Sequence, residues 1–417
     1  MVKREVLDNG VRVVTEEVTS VRSVSIGVWV DVGSRDERPG EEGLSHFIEH
    51  MVFKGTRRRS AEAISREIDA LGGELNAFTS RECTTFYSTV LDEYAAEGID
   101  LLADIFHHSR FDSRELSKEK RVVLEEIRMV EDDPEEHLHD LHTKNIFGEH
   151  PLGRPILGEV ATIESLRRKK VLSYRSRFYR PAQIVIAVAG NFSRSRVLKQ
   201  IAAAFGDEAG AEASPPGRIP PSIGGGVHVR AKALEQAHLC VGLKGVSVSD
   251  KDRYAAYLLN AILGGGVSSR LFQEVREKRG LAYAIHSSLG CFVDSGLFTV
   301  YAGTRAEAAP KVLALVLSEL RRLKTTPVNR AELQRAKSQL KGNLMLSLET
   351  SSSRMCKAAK DELYFGRYIS CEEIMEDIDR VSPEQIWTLS RDLFEDRHLT
   401  VTALGPIKKA TLERVIP

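Results

Sequence analysis

The chain has 417 residues, 42% of them hydrophobic, and its 59 Lys+Arg balance its 59 Asp+Glu for a formal net charge of zero. That balance offers no field to nucleic acid or an anionic membrane, so neither is expected as a partner. The length suits two domains of about 200 residues rather than one, and five scattered cysteines (Cys83, Cys240, Cys291, Cys356, Cys371) with no C-x-x-C suit reduced thiols in a cytoplasmic protein.

The start, "MVKREVLDNGVRVV", has neither an apolar signal core nor an Arg/Ser-rich transit composition, and its "DNG" reads as a hairpin turn. "VRVVTEEV" and "SVSIGVWVDVG" follow with strand alternation or β-branched content. No apolar run is long enough to span a bilayer.

Next comes "GLSHFIEHMVFKGT", residues 43–56, with His46, Glu49 and His50 in an apolar run. Wound as a helix at about 100° per residue, His46, Glu49, His50 and Phe53 share one face, while Leu44, Phe47, Ile48 and Met51 take the other. Histidines at i and i+4 can both reach one tetrahedral zinc. Chance supplies only about a few hundredths of an H-x-x-E-H in a chain of this composition.

"TTFYSTVL" is a further strand, and 92–108 and 113–131 are helical runs. In "ELSKEKRVVLEEIRMV", residues 115–130, the apolar stripe is Val122, Val123, Ile127 and Val130; Glu119 and Glu126 fall in the middle of it and Glu125 points to solvent. Two carboxylates on a buried face require a cation or a hydrogen-bond network, and the residues alone leave both open. "HLHDLH" at 137–142, beside an acidic block, reads as a solvated helix face.

Residues 206–226, rich in Gly, Pro, Ala and Ser, read as a linker between domains 1–205 and 227–417. The second half offers strands "HLCVGLKGV" and "GLFTVYAGT" and a helical run at 329–349. Residues 163–190 overlie 378–405 without a gap, Ile163 on Ile378 and Gly190 on Gly405, which reads as a duplicated domain. The expected fold is α+β: two homologous halves, each a largely antiparallel sheet with helices packed on one face.

With these residues in hand, the chain resembles the inverzincin zinc peptidases, the family of pitrilysin, insulin-degrading enzyme and mitochondrial processing peptidase, in its branch of single two-domain subunits. The match covers essentially the whole chain. Glu126, 76 residues beyond His50, stands at the family's place for a third zinc ligand, and Glu119 at that of its second acidic residue. "GGELNAFTSRECTTFY", 72–87, resembles the edge-strand segment in which Asn76 and Ala77 would pair with the substrate backbone. "LGGGVSSRLFQEVREKRGLAY", 263–283, carries Arg276 and Tyr283 seven apart, like the second-half pair that helps hold substrate and developing charge. The second half has no H-x-x-E-H.

The resemblance implies a clamshell holding one Zn2+ per chain on His46, His50 and Glu126. Zinc-bound water would attack the scissile carbonyl, with Glu49 as general base and Glu119 orienting a ligand histidine or tuning the site. It implies an endopeptidase acting on short or unfolded peptides in an enclosed chamber, working as a homodimer. Two other readings stay open: a non-catalytic assembly subunit, and a catalytic subunit that needs a separate partner.

Overall fold

A computed structural model describes residues 2–207 and 217–416, so residues 208–216 of the expected linker lie outside the described residues. The chain forms two compact units. The first comprises Met1–Arg128, Arg154–Arg218 and Ser347–Ile369; the second comprises Met129–Gly153, Ile219–Leu346 and Ser370–Pro417.

In the first unit, β1 (Val2–Val6), β2 (Arg12–Glu17), β3 (Ser23–Val30), β4 (Glu74–Thr79), β5 (Thr84–Leu91) and β6 (Ile184–Gly190) make one sheet in the order β1-β2-β6-β3-β5-β4. Every neighbouring pair is antiparallel except β2 with β6. β3 lies in the middle and is apolar on both faces. Val24, Ile26, Val28 and Val30 face a core with helices Leu44–Val52, Ala95–His108 and Arg194–Phe205. Trp29, with Val14, Val185, Ala187 and Ala189, faces the opposite way.

The second unit repeats this plan. β7 (Gly226–Arg230), β8 (Ala237–Lys244), β9 (Ala282–Cys291), β10 (Gly296–Thr304) and β11 (Thr400–Leu404) run in the order β7-β11-β8-β10-β9, with β7 and β11 parallel and the rest antiparallel. Its main core packs Leu239, Val241, Phe298, Val300 and Val401 against helices Arg253–Leu263, Ala309–Thr325 and Pro383–Leu393. The duplicated segments end in β6 and β11, which hold the same place in the two sheets. Both finish on a glycine with φ near +130° (Gly190 at 132°, Gly405 at 131°). A side chain there would strike the backbone of the adjoining strand entry, at Ser23 and at Gln236 respectively.

Most helices of each unit layer on one face of its sheet, as expected. The other face is covered by one helix drawn from the opposite half of the chain. Ser351–Phe365 lays Met355, Ala358 and Ala359 on the Trp29 face of the first sheet. Pro134–Phe147 lays Leu138 on Cys240, Tyr301 and Leu404 of the second. The compact units are therefore not the contiguous stretches 1–205 and 227–417 read from the sequence. The physical reason is that a sheet apolar on both faces needs cover on both. Each exchanged helix is well bounded. Thr350 caps one through Ser353 N–H and Gly366 ends it in the left-handed region, while Asp133 and Pro134 start the other. No described helix is long and apolar enough to cross a membrane.

Met355 is fully buried, and its Sδ accepts the Trp29 indole N–H at 3.4 Å. Met355→Ala should lower stability by about 2–5 kcal/mol through the cavity it leaves. Urea denaturation checks this, and an unchanged midpoint would mean that the helix does not close the Trp29 face.

Candidate metal centre

Helix Leu44–Val52 presses Leu44, Phe47, Ile48 and Met51 into the first core, each fully buried. Its first turn is held from outside. The buried Glu37 carboxylate accepts the backbone N–H of Gly43 at 2.8 Å and of Ser45 at 2.7 Å. Burial pushes the Glu37 pKa up to about 8, against the pull of those two bonds. The Ser45 hydroxyl lies 2.7 Å from that of Tyr174. These contacts fix the rotation of the helix about its axis, and with it the direction of the histidines.

The second contributor is helix Ser113–Asp132. Its buried positions are Leu116, Glu119, Val123 and Ile127, a 3.6-residue stripe. Val122, expected in that stripe, is exposed, because one residue of helix turns it about 100° from Val123. Glu119 is buried, Glu126 is partly buried, and Glu125 is exposed and pairs with Arg128.

His46, His50 and Glu126 converge. Glu126 Oε2 lies 3.7 Å from His46 Nε2 and 3.4 Å from His50 Nε2, and it is buried without a hydrogen-bond partner. Three donors in a tetrahedral zinc site stand about 3.4 Å apart at ordinary bond lengths. The donors and spacing therefore fit zinc, and a buried carboxylate oxygen that makes no hydrogen bond is what a metal ligand looks like when described without its metal. Burial, helped by the nearby His50, lowers the His46 pKa to about 4, which keeps its ring neutral as a ligand must be. Glu119 Oε2 approaches His50 Nδ1 at 3.3 Å, while its Oε1 meets Lys54 Nζ at 3.0 Å. This is the carboxylate–histidine arrangement that orients a ligating imidazole.

Glu49 stands apart from the three. Burial raises its pKa, opposed first by the Thr79 hydroxyl, which donates to Oε2 at 2.6 Å. Thr79 ends β4, the outermost strand of its sheet, with β5 on one side and no strand on the other among the described residues. Asn76 and Ala77 sit on that strand, Asn76 exposed. Arg276 and Tyr283 lie in the second unit, beside one another. Arg276, in a π-helical turn at Phe272–Glu277, donates to the Tyr283 carbonyl at 2.8 Å and lies 4.6 Å from its ring centre. The Tyr283 side chain is largely exposed.

Sequence reasoning missed Glu37, Lys54 and Thr79. Thr79 lay within the quoted edge-strand segment, but its contact depends on how β4 crosses the helix. Glu37 gave no local signal, since it caps a helix from a separate turn.

Comparison with known proteins bears on the family and the fold. The family model described as Insulinase (Peptidase family M16) matches residues 12–160, and that described as Peptidase M16 inactive domain matches residues 165–340. A relative from Bacillus subtilis, named an uncharacterized zinc protease, is 45% identical over 95% of this chain and 96% of its own. One of the same description from Streptomyces coelicolor is 40% identical over 99% of this chain and 92% of its own. Among solved structures, a protease from Helicobacter pylori shares the fold with a TM-score of 0.91 at 24% identity, covering 97% of this chain and 99% of that one. A peptidase M16 inactive domain from Pseudomonas fluorescens shares it with a TM-score of 0.88 at 21% identity, over 97% of this chain and 98% of that one.

Glu126→Gln should weaken zinc retention far more than Glu125→Gln, and Glu119→Gln should weaken it by about 10- to 100-fold. Competition with a calibrated chelator measures all three; equal affinities for the Glu125 and Glu126 variants would refute the assignment of Glu126 as a ligand.

Proposed function

The chain belongs to peptidase family M16, and from that premise we propose that it is a zinc-dependent endopeptidase cleaving short or unfolded peptides. The observation that carries this reading is the convergence of His46, His50 and Glu126 beside a carboxylate, Glu49, that is not one of the three. Zinc held there would supply Lewis acidity, polarising a scissile carbonyl and easing deprotonation of a water.

The protein's own groups do the rest. Glu49 takes a proton from the attacking water and returns it to the leaving amine nitrogen. Its raised pKa suits both halves of that transfer, and the Thr79 hydroxyl holds the carboxylate in place. Glu119 fixes the His50 ring through Nδ1. An extended peptide adds to the open edge of β4 at Asn76 and Ala77, so that main-chain bonds supply affinity with little demand on sequence. Arg276 and Tyr283 bind the substrate backbone or the carbonyl oxygen as charge develops; this assignment rests on the family resemblance and on their adjacency in the second unit.

Glu49→Gln should keep its zinc and lose about 10²- to 10⁴-fold in turnover. Metal analysis and cleavage of a mixed peptide library on the same preparation check this. Loss of the metal would make Glu49 a ligand, and native protein that holds zinc yet cleaves nothing would make the chain a non-catalytic subunit.

Tyr283→Phe should leave metal content unchanged and lower turnover by about ten- to a thousand-fold. The proposed homodimer adds a mixing test. After subunit exchange, verified with labelled protein, Glu49→Gln and Tyr283→Phe chains should restore activity if one chain completes the site of another. Exchange without recovery would place both groups of a site within a single chain.

A further inference from the structure

The "HLHDLH" helix is not the solvated face that its composition suggests. In helix Pro134–Phe147, Leu138 and His142 are buried, and His142 Nδ1 lies 3.0 Å from the Thr402 hydroxyl of β11. Burial lowers the His142 pKa to about 3, so this docked histidine stays neutral. One and two turns back, the same helix turns His139 and Glu135 toward the sheet. They meet His286 of β9, with the ligand atoms of all three within 4.8 Å of one another. All three residues belong to the second unit. Among the described residues, only this group and the His46, His50 and Glu126 triad bring metal-ligating side chains together so closely.

The two groups share a design. Each has two imidazoles and one carboxylate; each takes two ligands from i and i+4 of one helix and the third from another element. In the second group Glu135 Oε1 lies 4.0 Å from His286 Nε2. The surroundings form a polar shell around Tyr301. Tyr301 pairs with His286 across β10 and β9, and its ring lies 5.1 Å from that of His286 and 5.7 Å from that of His139. Its hydroxyl lies 2.8 Å from His238 Nδ1. Ligand side chains held in this way by outer partners are the usual construction of a metal site.

We propose that Glu135, His139 and His286 form a second site for a divalent transition metal of the zinc type, separate from the catalytic one. Two imidazoles and one carboxylate favour zinc, cobalt or nickel over calcium or magnesium, which take oxygen ligands. The donors close from their present separations to about 3.4 Å by side-chain rotation. Glu135 and His286 are each about two-fifths exposed, with side-chain accessibilities of 44% and 43%, so they are free to rotate and water can complete the coordination. The bound metal ties the helix to β9, the strand that carries Tyr283 near its start.

The test uses full-length protein. Chelator-stripped protein titrated with cobalt, read by its visible absorbance, should take up close to two equivalents, and His139→Gln/His286→Gln protein close to one. The complementary His46→Gln/His50→Gln protein, reconstituted with zinc and desalted, should retain close to one equivalent by elemental analysis, and zinc should raise its melting temperature. Circular dichroism confirms that each variant is folded. A single equivalent in the unchanged protein would overturn the proposal. So would zinc retention by the His46→Gln/His50→Gln chain that persists when His139→Gln and His286→Gln are added. The cobalt titration of the unchanged chain stands even if the His46→Gln/His50→Gln variant does not fold.

Discussion

Helix Leu44–Val52 must be clamped in one rotation, and the arrangement around it follows from that requirement. Nine residues are too few to hold a helix in water. Four fully buried apolar side chains fix it to the sheet, and the Glu37 carboxylate satisfies the N–H groups of its first turn. The apolar face buries itself by the hydrophobic effect and so forces the other face, with His46, Glu49 and His50, toward helix Ser113–Asp132. A rotation of one residue, about 100°, would send the histidines into the core.

Burial does the electrostatic work at the centre. A carboxylate such as Glu119 is costly on a buried helix face unless it has partners, and it has two, His50 and Lys54. Glu126 differs: its buried oxygen approaches two imidazole rings and makes no hydrogen bond. One carboxylate is thus spent on orienting an imidazole and the other is left for a cation. The same burial raises the pKa of Glu49, beside the Thr79 hydroxyl of an open strand edge. The base and the edge are adjacent because β4 packs along the helix.

The exchanged helices show how a duplicated domain becomes a single protein. Each sheet is apolar on two faces, and its own half of the chain covers only one. Met355 on Trp29 and Leu138 on Cys240 and Tyr301 supply the missing cover from the opposite half. The exchange also brings Glu135 and His139 against β9, a grouping that neither half would contain alone.

The sequence by itself determined the elements whose signals are local. The two faces of 43–53 followed from helical spacing, the placing of Glu119 and Glu126 inward and Glu125 outward from the same rule, and the repeat from the alignment of Gly190 with Gly405. Periodicity misplaced Val122 by a single turn position, because an apolar stripe defined by few residues leaves its centre uncertain by one. The tertiary structure alone decided what depends on a second element. Glu37 caps a helix from a distant turn, Thr79 meets Glu49 across a strand, and Leu138 and His142 of "HLHDLH" are buried because β8, β10 and β11 supply a surface for them. Periodicity reports which side of a helix is apolar. It carries no information about which surface will meet that side, since the match is made by shape and burial between segments far apart in the chain.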